Sequence, residues 1–274
     1  MLDVNRRVLP GFRLTLGYTV FYLSALVLIP LTACALKAAS LSLDQIWAVV
    51  WTPRTRAAYT LTVGASLIAA AINVVLGVLV AWVLVRYEFP FKRLLDALVD
   101  FPFALPTAVA GLVYSSLYVK TGWLGQFLVP LGIQGSYSRL AIVLVLTFIG
   151  LPFIVRTVQP ILENFEAEVE EAAACLGATR AQTFARVIMP TLLPAIVTGF
   201  ALAFARGLGE YGSVVFVSGN MPYKTEIAPV LIVAALEEFH YGEAAAIAMV
   251  LLTISFTMLV LINLLERWSK RHVA

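Results

Sequence analysis

The sequence predicts an all-α membrane protein: six transmembrane helices, a cytoplasmic two-helix loop between the fourth and fifth, and both termini cytoplasmic. Three observations carry that expectation. Apolar residues make up 61% of the 274 and charged residues 13%, with a mean hydropathy of +0.92, whereas soluble domains are only about half apolar. Six apolar runs recur along the chain, on the scale needed to cross a hydrocarbon core about 30 Å thick. Lys and Arg fall unevenly around the ends of those runs, and their placement, rather than the net charge of +3, is what orients spans. One membrane domain over residues 1–274 is expected, because six spans of about twenty residues leave no room for a further large soluble domain.

Taken in order, a polar leader from Asp3 to Arg13 precedes the first span, Leu14 to Leu36. Leu31-Thr32-Ala33-Cys34 has the look of a lipoprotein processing site and Ala33-x-Ala35 of a signal-peptidase site. The apolar run is longer than a signal-peptide core of about 7–15 residues, so it is read as a retained span. Span two, Leu61 to Val85, carries Ser66, Ala70, Asn73 and Gly77 at helical spacing, a small-residue stripe that lets helices approach closely. Asn73 is a pathway candidate, with helix packing as the alternative. Span three, Phe101 to Val119, opens with Pro102 and Pro106, whose missing N–H groups free backbone carbonyls that must face protein or water at membrane depth. Pro106 and Thr107 are therefore pathway candidates, with a purely structural kink as the alternative. Span four runs from Leu140 to Val155.

The loop that follows, about residues 161–190, is built rather than merely connecting. Val169, Ala172, Ala173 and Leu176 fall at i, i+3, i+4 and i+7, giving a short helix one small apolar face opposite Glu168 and Glu171. Gly177 is placed to end it in the left-handed conformation. Thr179 with Gln182 forms a capping-box pattern for a second short helix with Phe184, Val187 and Ile188 as its apolar face, closed by Pro190. Two helices this short are marginal alone and need a surface to pack on. That surface is expected on another protein.

Span five, Leu192 to Val217, contains Arg206-Gly207-Leu208-Gly209-Glu210-Tyr211-Gly212. A cation at a span centre costs about 2.5–3.5 kcal/mol on insertion scales, so something must offset it, and Glu210 stands four residues on. Two readings stand here: Arg206 gives a pathway positive potential for an anion while Glu210 restrains it, or the two form a structural ion pair. Span six is Ala244 to Leu265.

Six spans put both termini on one side. Arg6, Arg7, Arg13, Arg86, Lys92, Arg93, Arg156, Arg180, Arg186, Arg267, Lys270 and Arg271 lie on that side; Lys37, Arg54, Arg56, Lys120, Arg139 and Lys224 lie on the other. The richer set is expected to be cytoplasmic, and the structured loop lies with it. Cys34 and Cys175 then fall near opposite faces, which precludes a disulfide between them and leaves both as small fillers.

Glu171-Ala172-Ala173, Gly177 and Val187-Ile188-Met189-Pro190 together resemble the coupling loop of ABC importer permeases; Val187 and Met189 replace Ile and Leu of the family pattern at similar volume. Further stretches extend the resemblance over nearly the whole chain: Arg6 to Phe12, Phe101 to Leu112, Pro152 to Pro160, Arg206 to Gly212, and Gly219 to Pro222. They are similar to CysT-type permease subunits of bacterial sulfate/thiosulfate importers. The resemblance implies a multi-pass protein of the bacterial inner membrane. Its loop would couple to an ATPase through Glu170, Glu171, Ala172, Ala173, Leu176, Gly177, Thr179, Val187, Met189 and Pro190. It also implies a second permease subunit of CysW type, a cytoplasmic ABC ATPase dimer that binds ATP and Mg, a periplasmic sulfate/thiosulfate-binding protein, and no cofactor in this chain. His240 stands where relatives carry an acidic residue and reads as a surface position.

No Gly-Lys-Ser/Thr occurs, so the chain has no phosphate loop of its own. Its two histidines, His240 and His272, are expected on opposite sides, which argues against a His-based metal or triad site and against an enzyme. A proton-coupled transporter using Glu210 would leave the structured loop unexplained, and a membrane enzyme lacks an evident nucleophile. Within the importers, a molybdate or tungstate permease is the alternative, since all these substrates are tetrahedral dianions.

Overall fold

The computed structural model describes residues 12–273. Residues 6–11, with Arg6 and Arg7, and the side chains of Arg13, Arg267, Lys270, Arg271 and His272 lie outside the described residues. The described residues are mostly helical, with no strand among them.

Among the described residues, five helical stretches are long and apolar enough to cross a membrane: the Leu14–Ala38 part of α1 (Phe12–Ala38), α3 (Pro53–Arg86), α8 (Arg139–Glu163), the run Arg180–Leu208, and the Tyr241–Leu264 part of α14 (Tyr241–Val273). Polar caps set where several begin. Thr52 Oγ1 accepts from Thr55 N–H at 3.0 Å with Pro53 in the first turn of α3, and Ser138 Oγ accepts from Ala141 N–H at 3.1 Å to open α8. A capping box between Ser42 and Gln45 opens the short helix α2 (Leu43–Val50) that joins α1 to α3.

The centre of the molecule is α3, α8 and α11 (Met189–Leu208), and glycines fix their register. In an apolar solvent no hydrophobic force drives helices together, so close backbone approach and dispersion must do so. A methyl group at Gly77 would stand 2.6 Å from Ile154, one at Gly150 would overlap Asn73, one at Gly199 would meet Thr157, and one at Gly207 would stand 3.0 Å from Ser66. The order of these pairs makes α3 and α8 parallel and α11 antiparallel to both. Ala81, Val155, Val158 and Leu192 fill the core at one end, and Ala65, Ile142, Val145 and Val217 at the other.

The ends are equally well marked. Arg86 pairs with Glu170 and Arg156 with Asp96 and Asp100 at the loop end, while Arg54 pairs with Glu226 and Lys37 lies over Tyr241 at the opposite end. Cys34 and Cys175 are both free, the first half-buried near the start of α14 and the second exposed in the loop.

Three sequence expectations are corrected. Span three is not one helix over 101–119: after α4 (Lys92–Val99) the chain forms α5 (Phe101–Ala104), breaks at Leu105-Pro106, and resumes as α6 (Thr107–Tyr118). Pro106 is the cause, because it has no N–H to continue a helix and holds Leu105 extended. Twelve residues rise only about 18 Å, so α6 alone does not span. Span five ends at Leu208 rather than Val217, the residues beyond it turning through Gly209 to Ser213 into α12 (Val214–Val217). Pro190 does not close a helix. α10 (Arg180–Thr183) passes through a π turn, Phe184–Ile188, directly into α11, and Met189 N–H reaches back five residues to Phe184 O. That widened turn accommodates the proline ring and lets the helix continue.

Candidate functional site

Two regions hold all but one of the residues singled out from the sequence, the exception being Asn73. The first is the loop between α8 and α10. α9 (Ala167–Cys175) forms as expected, with Glu168 and Glu170 in its first turn, where the helix dipole favours acids. It ends in a complete Schellman motif: Gly177 sits at φ +82°, its N–H bonds Ala174 O at 2.9 Å, and Ala178 N–H bonds Ala173 O at 3.0 Å. Thr179 and Gln182 then form the reciprocal capping box, at 2.8 and 3.3 Å. Leu176 is left 89% exposed, and Val169, Glu171 and Ala172 are exposed beside it. The apolar Leu176 thus stands uncovered on a helix too short to be stable alone.

The loop residues divide into two groups. Glu171, Ala172, Leu176 and Gly177 are on the open side, with Thr179 exposed at the turn. Ala173, Val187, Met189 and Pro190 are half-buried, and Met189 packs with Ile188 and Leu192 onto α3 and α8. Glu170 turns inward to Arg86 at the end of α3, whose guanidinium also lies over Trp82 and Phe165. Trp82 in turn meets Phe184 edge-on at 5.5 Å. α9 is thus tied to α3 through Arg86, and through α10 the chain runs by the π turn into α11. Sequence reasoning did not find Arg86; two oppositely charged residues 84 positions apart leave no local pattern.

The second region is where two helix breaks meet. The turn after α11 lies against the start of α6: a methyl at Gly212 would overlap Thr107 Oγ1, and one at Gly111 would overlap the Ser213 carbonyl. Freed backbone at such a depth needs partners, and Glu210, 2% exposed, supplies them. Its Oε1 accepts from Ser213 N–H at 2.9 Å and Ser213 Oγ at 2.8 Å, and its Oε2 forms an ion pair with Arg206, 2.6 Å from Nη1. Arg206 is 35% exposed and lies in the last turn of α11, where the helix dipole favours a cation. Its Nε and Nη2 have no protein partner among the described residues. The structure thus brings together Pro106, Thr107, Arg206 and Glu210. Gly111→Ala is expected to misplace the turn and lower the melting temperature by several degrees, because the obstacle is backbone and cannot rotate away; circular dichroism melts in detergent check it.

Asn73 lies elsewhere, fully buried on α3 against Gly150 and near Ala203, with neither its Oδ1 nor its Nδ2 hydrogen-bonded; Ser66 Oγ, two turns along, is likewise unpartnered. An unsatisfied buried polar group costs about 1–3 kcal/mol, and an apolar group of the same shape removes that cost. Asn73→Leu is therefore expected to raise the melting temperature of the assembled protein, and a lower one would show that Asn73 has a partner there.

Among the described residues no group of three or more His, Cys, Asp and Glu is placed to hold a metal ion. Comparison with known proteins gives a family and a fold. Residues 73–273 match the model of the family described as "Binding-protein-dependent transport system inner membrane component". The chain is 51% identical over 254 residues to a Synechocystis protein named sulfate transport system permease protein CysT, covering 93% of this chain and 89% of that one. It is 48% identical over 275 residues to the Salmonella typhimurium protein of the same name, covering 100% and 99%. Among solved structures, a bacterial ABC transporter for import of the acidic polysaccharide alginate superposes with a TM-score of 0.76 at 16% identity, covering 93% and 94% of the two chains. The MetNI methionine ABC transporter superposes with a TM-score of 0.57 at 18% identity, covering 85% and 100%. At such identities the likeness is one of fold.

Proposed function

Because this chain belongs to the family of binding-protein-dependent transport inner membrane components, we propose that it is a permease subunit of an ATP-driven sulfate or thiosulfate importer. The observation that carries the coupling role is α9, with Leu176 uncovered on one side and Glu170 tied to α3 on the other. ATP hydrolysis belongs to a separate ATPase dimer, which binds ATP and Mg and receives Leu176, Glu171 and Ala172 in a cleft. A second permease of CysW type completes the membrane part, and a periplasmic anion-binding protein delivers substrate. The relatives' names support sulfate over molybdate or tungstate.

The proposed topology has six crossings in the inner membrane, with both termini and α9 cytoplasmic. α5 and α6 together serve as the third crossing, because α3 ends at the loop end and α8 begins at the opposite one. The excess of Lys and Arg at the loop end supports that orientation. The pathway is proposed to pass the meeting of the two breaks, where Arg206 offers unused donors to a dianion and Glu210 keeps binding weak enough for release. Closure of the ATPase would bias the bundle between two states only through contacts that differ between them, and the Arg86–Glu170 and π-turn connections are the contacts in position to do so.

ATP-dependent uptake of labelled sulfate tests this in vesicles holding this chain, its companion permease and its ATPase, with the binding protein outside and molybdate as competitor. Uptake that needs every component and resists molybdate is the expected result. Uptake without the ATPase would overturn the coupling assignment, and competition by molybdate would move the substrate assignment.

A further inference from the structure

α4 carries its polarity the wrong way round for a helix against water. Phe91, Leu94, Leu95, Leu98 and Phe101 recur at i, i+3, i+4, i+7 and i+10 on one face, and all are between 47% and 76% exposed. The acidic residues on its other side face α8. Arg156 of α8 donates from Nη1 to Asp96 Oδ1 at 2.6 Å, from Nη2 to the Asp96 carbonyl at 2.8 Å, and from Nε and Nη2 to the Asp100 carboxylate at 2.8 and 2.7 Å. Gln159 accepts from the same guanidinium at 2.7 Å, and Val99 is buried beneath. Four donors into one short segment fix its rotation, so the apolar stripe is held outward rather than left there by a loose loop.

We propose that α4 is an amphipathic anchor lying in the interfacial layer of the lipid leaflet at the loop end, its stripe among acyl chains and Arg93 on a lipid phosphate. The occupant follows from where the helix is strung. α3, an apolar span, ends at Arg86, only six residues before α4, and the broken crossing α5–α6 starts immediately after it. α4 therefore cannot leave the membrane surface, and a helix with one apolar and one charged face settles in that plane. Arg93 is exposed and makes no ion pair among the described residues, whereas its neighbour Lys92 is engaged with Glu88 at 2.7 Å. A free guanidinium on the face opposite an apolar stripe matches the order of phosphate and acyl chain in a leaflet. Through Arg156 the anchor also positions the start of the α5–α6 crossing relative to α8.

The test uses the full chain assembled with its companion permease and ATPase in vesicles of phosphatidylethanolamine and phosphatidylglycerol. Leu95→Cys, in a Cys34→Ala and Cys175→Ser background, carries a nitroxide whose collisions with oxygen and with a water-soluble nickel chelate are compared. Oxygen collisions several-fold above nickel collisions are expected. Nickel in excess would put the stripe in water, and low collision rates with both would put a protein partner over it; either result overturns the proposal. Leu98→Cys, on the same face, decides the matter if the first variant does not assemble. Arg93→Gln is expected to shift the label outward and lower the oxygen-to-nickel ratio, and an unchanged ratio removes Arg93 from the contact. Sulfate uptake by the same vesicles is read separately, so a failed anchor and a failed importer are distinguishable.

Discussion

Gly177→Val is expected to lower ATP-driven uptake by roughly tenfold or more while leaving the membrane helices folded. A side chain at Gly177 would meet nothing within 4 Å, so overlap is not the cause. The cost lies in the backbone: φ is +82°, a region that charges an ordinary L-residue about 1–2 kcal/mol and a β-branched residue more. About 1.4 kcal/mol is a tenfold change in an equilibrium. α9 has nine residues and little cooperative reserve against such a cost, so the Schellman bonds from Gly177 and Ala178 give way and Leu176 leaves its position. Core melting should be unchanged, because α9 holds no buried residue. A graded series sharpens the test: Asn, which tolerates the left-handed region, should transport better than Ala, and Ala better than Val. Uptake, co-purification of the ATPase and melting temperature are the three readings. Normal uptake by the Val variant would remove the cap from the coupling mechanism.

The contrast between this loop and the rest of the molecule shows what kind of information a sequence displays. Gly177, Thr179 and Gln182 act within four residues of themselves, so their pattern is written out contiguously and the structure follows it. Pro190 is also local, yet the inference from it failed, because a missing N–H constrains one bond while the neighbouring backbone is free to widen into a π turn. The boundary at Leu208 failed for a related reason. Val214 and Val217 are fully buried and apolar and extend the run from Leu192, whereas the turn between them is made possible by glycines and by Glu210. Hydropathy reports what a residue dissolves in and not whether its backbone is helical.

The long-range features were illegible for a different reason. Arg86 with Glu170, and Arg156 with Asp96 and Asp100, join residues 56 to 84 positions apart, and each partner alone reads as an ordinary charge near a span end. The reversed face of α4 was hidden by the same fact: Leu94, Leu95 and Leu98 form a visible stripe, but only the position of Arg156 shows which way the stripe points. Asn73 was legible as a polar residue on a small-residue stripe. Its burial against Gly150 comes from the parallel register of α3 and α8, which no single helix encodes.

Arg206 and Glu210 allow the structural and the transport readings of the broken-helix site to be separated by experiment. Glu210→Ala alone should be the most destabilising change there, since removing one partner of a buried pair costs about 3–5 kcal/mol; the exposure of Arg206 places the loss at the lower end of that range. It also strips the fully buried Ser213 of the acceptor for its N–H and hydroxyl. Adding Arg206→Ala should recover part of the lost stability, because no unpaired charge remains and the residual cost is that of the Ser213 N–H and hydroxyl, at about 1–3 kcal/mol for each group left unsatisfied. Uptake should not recover with it. The double variant keeps the fold and the ATPase contact but presents no guanidinium to a dianion, so transport is expected to stay near background while stability returns. Melting temperature, ATPase co-purification and sulfate uptake on the two single variants and the double give the answer. If the double variant assembles and imports sulfate at the wild-type rate, the pair is structural, and the anion must be held by other groups around the meeting of α6 with the Gly209–Ser213 turn.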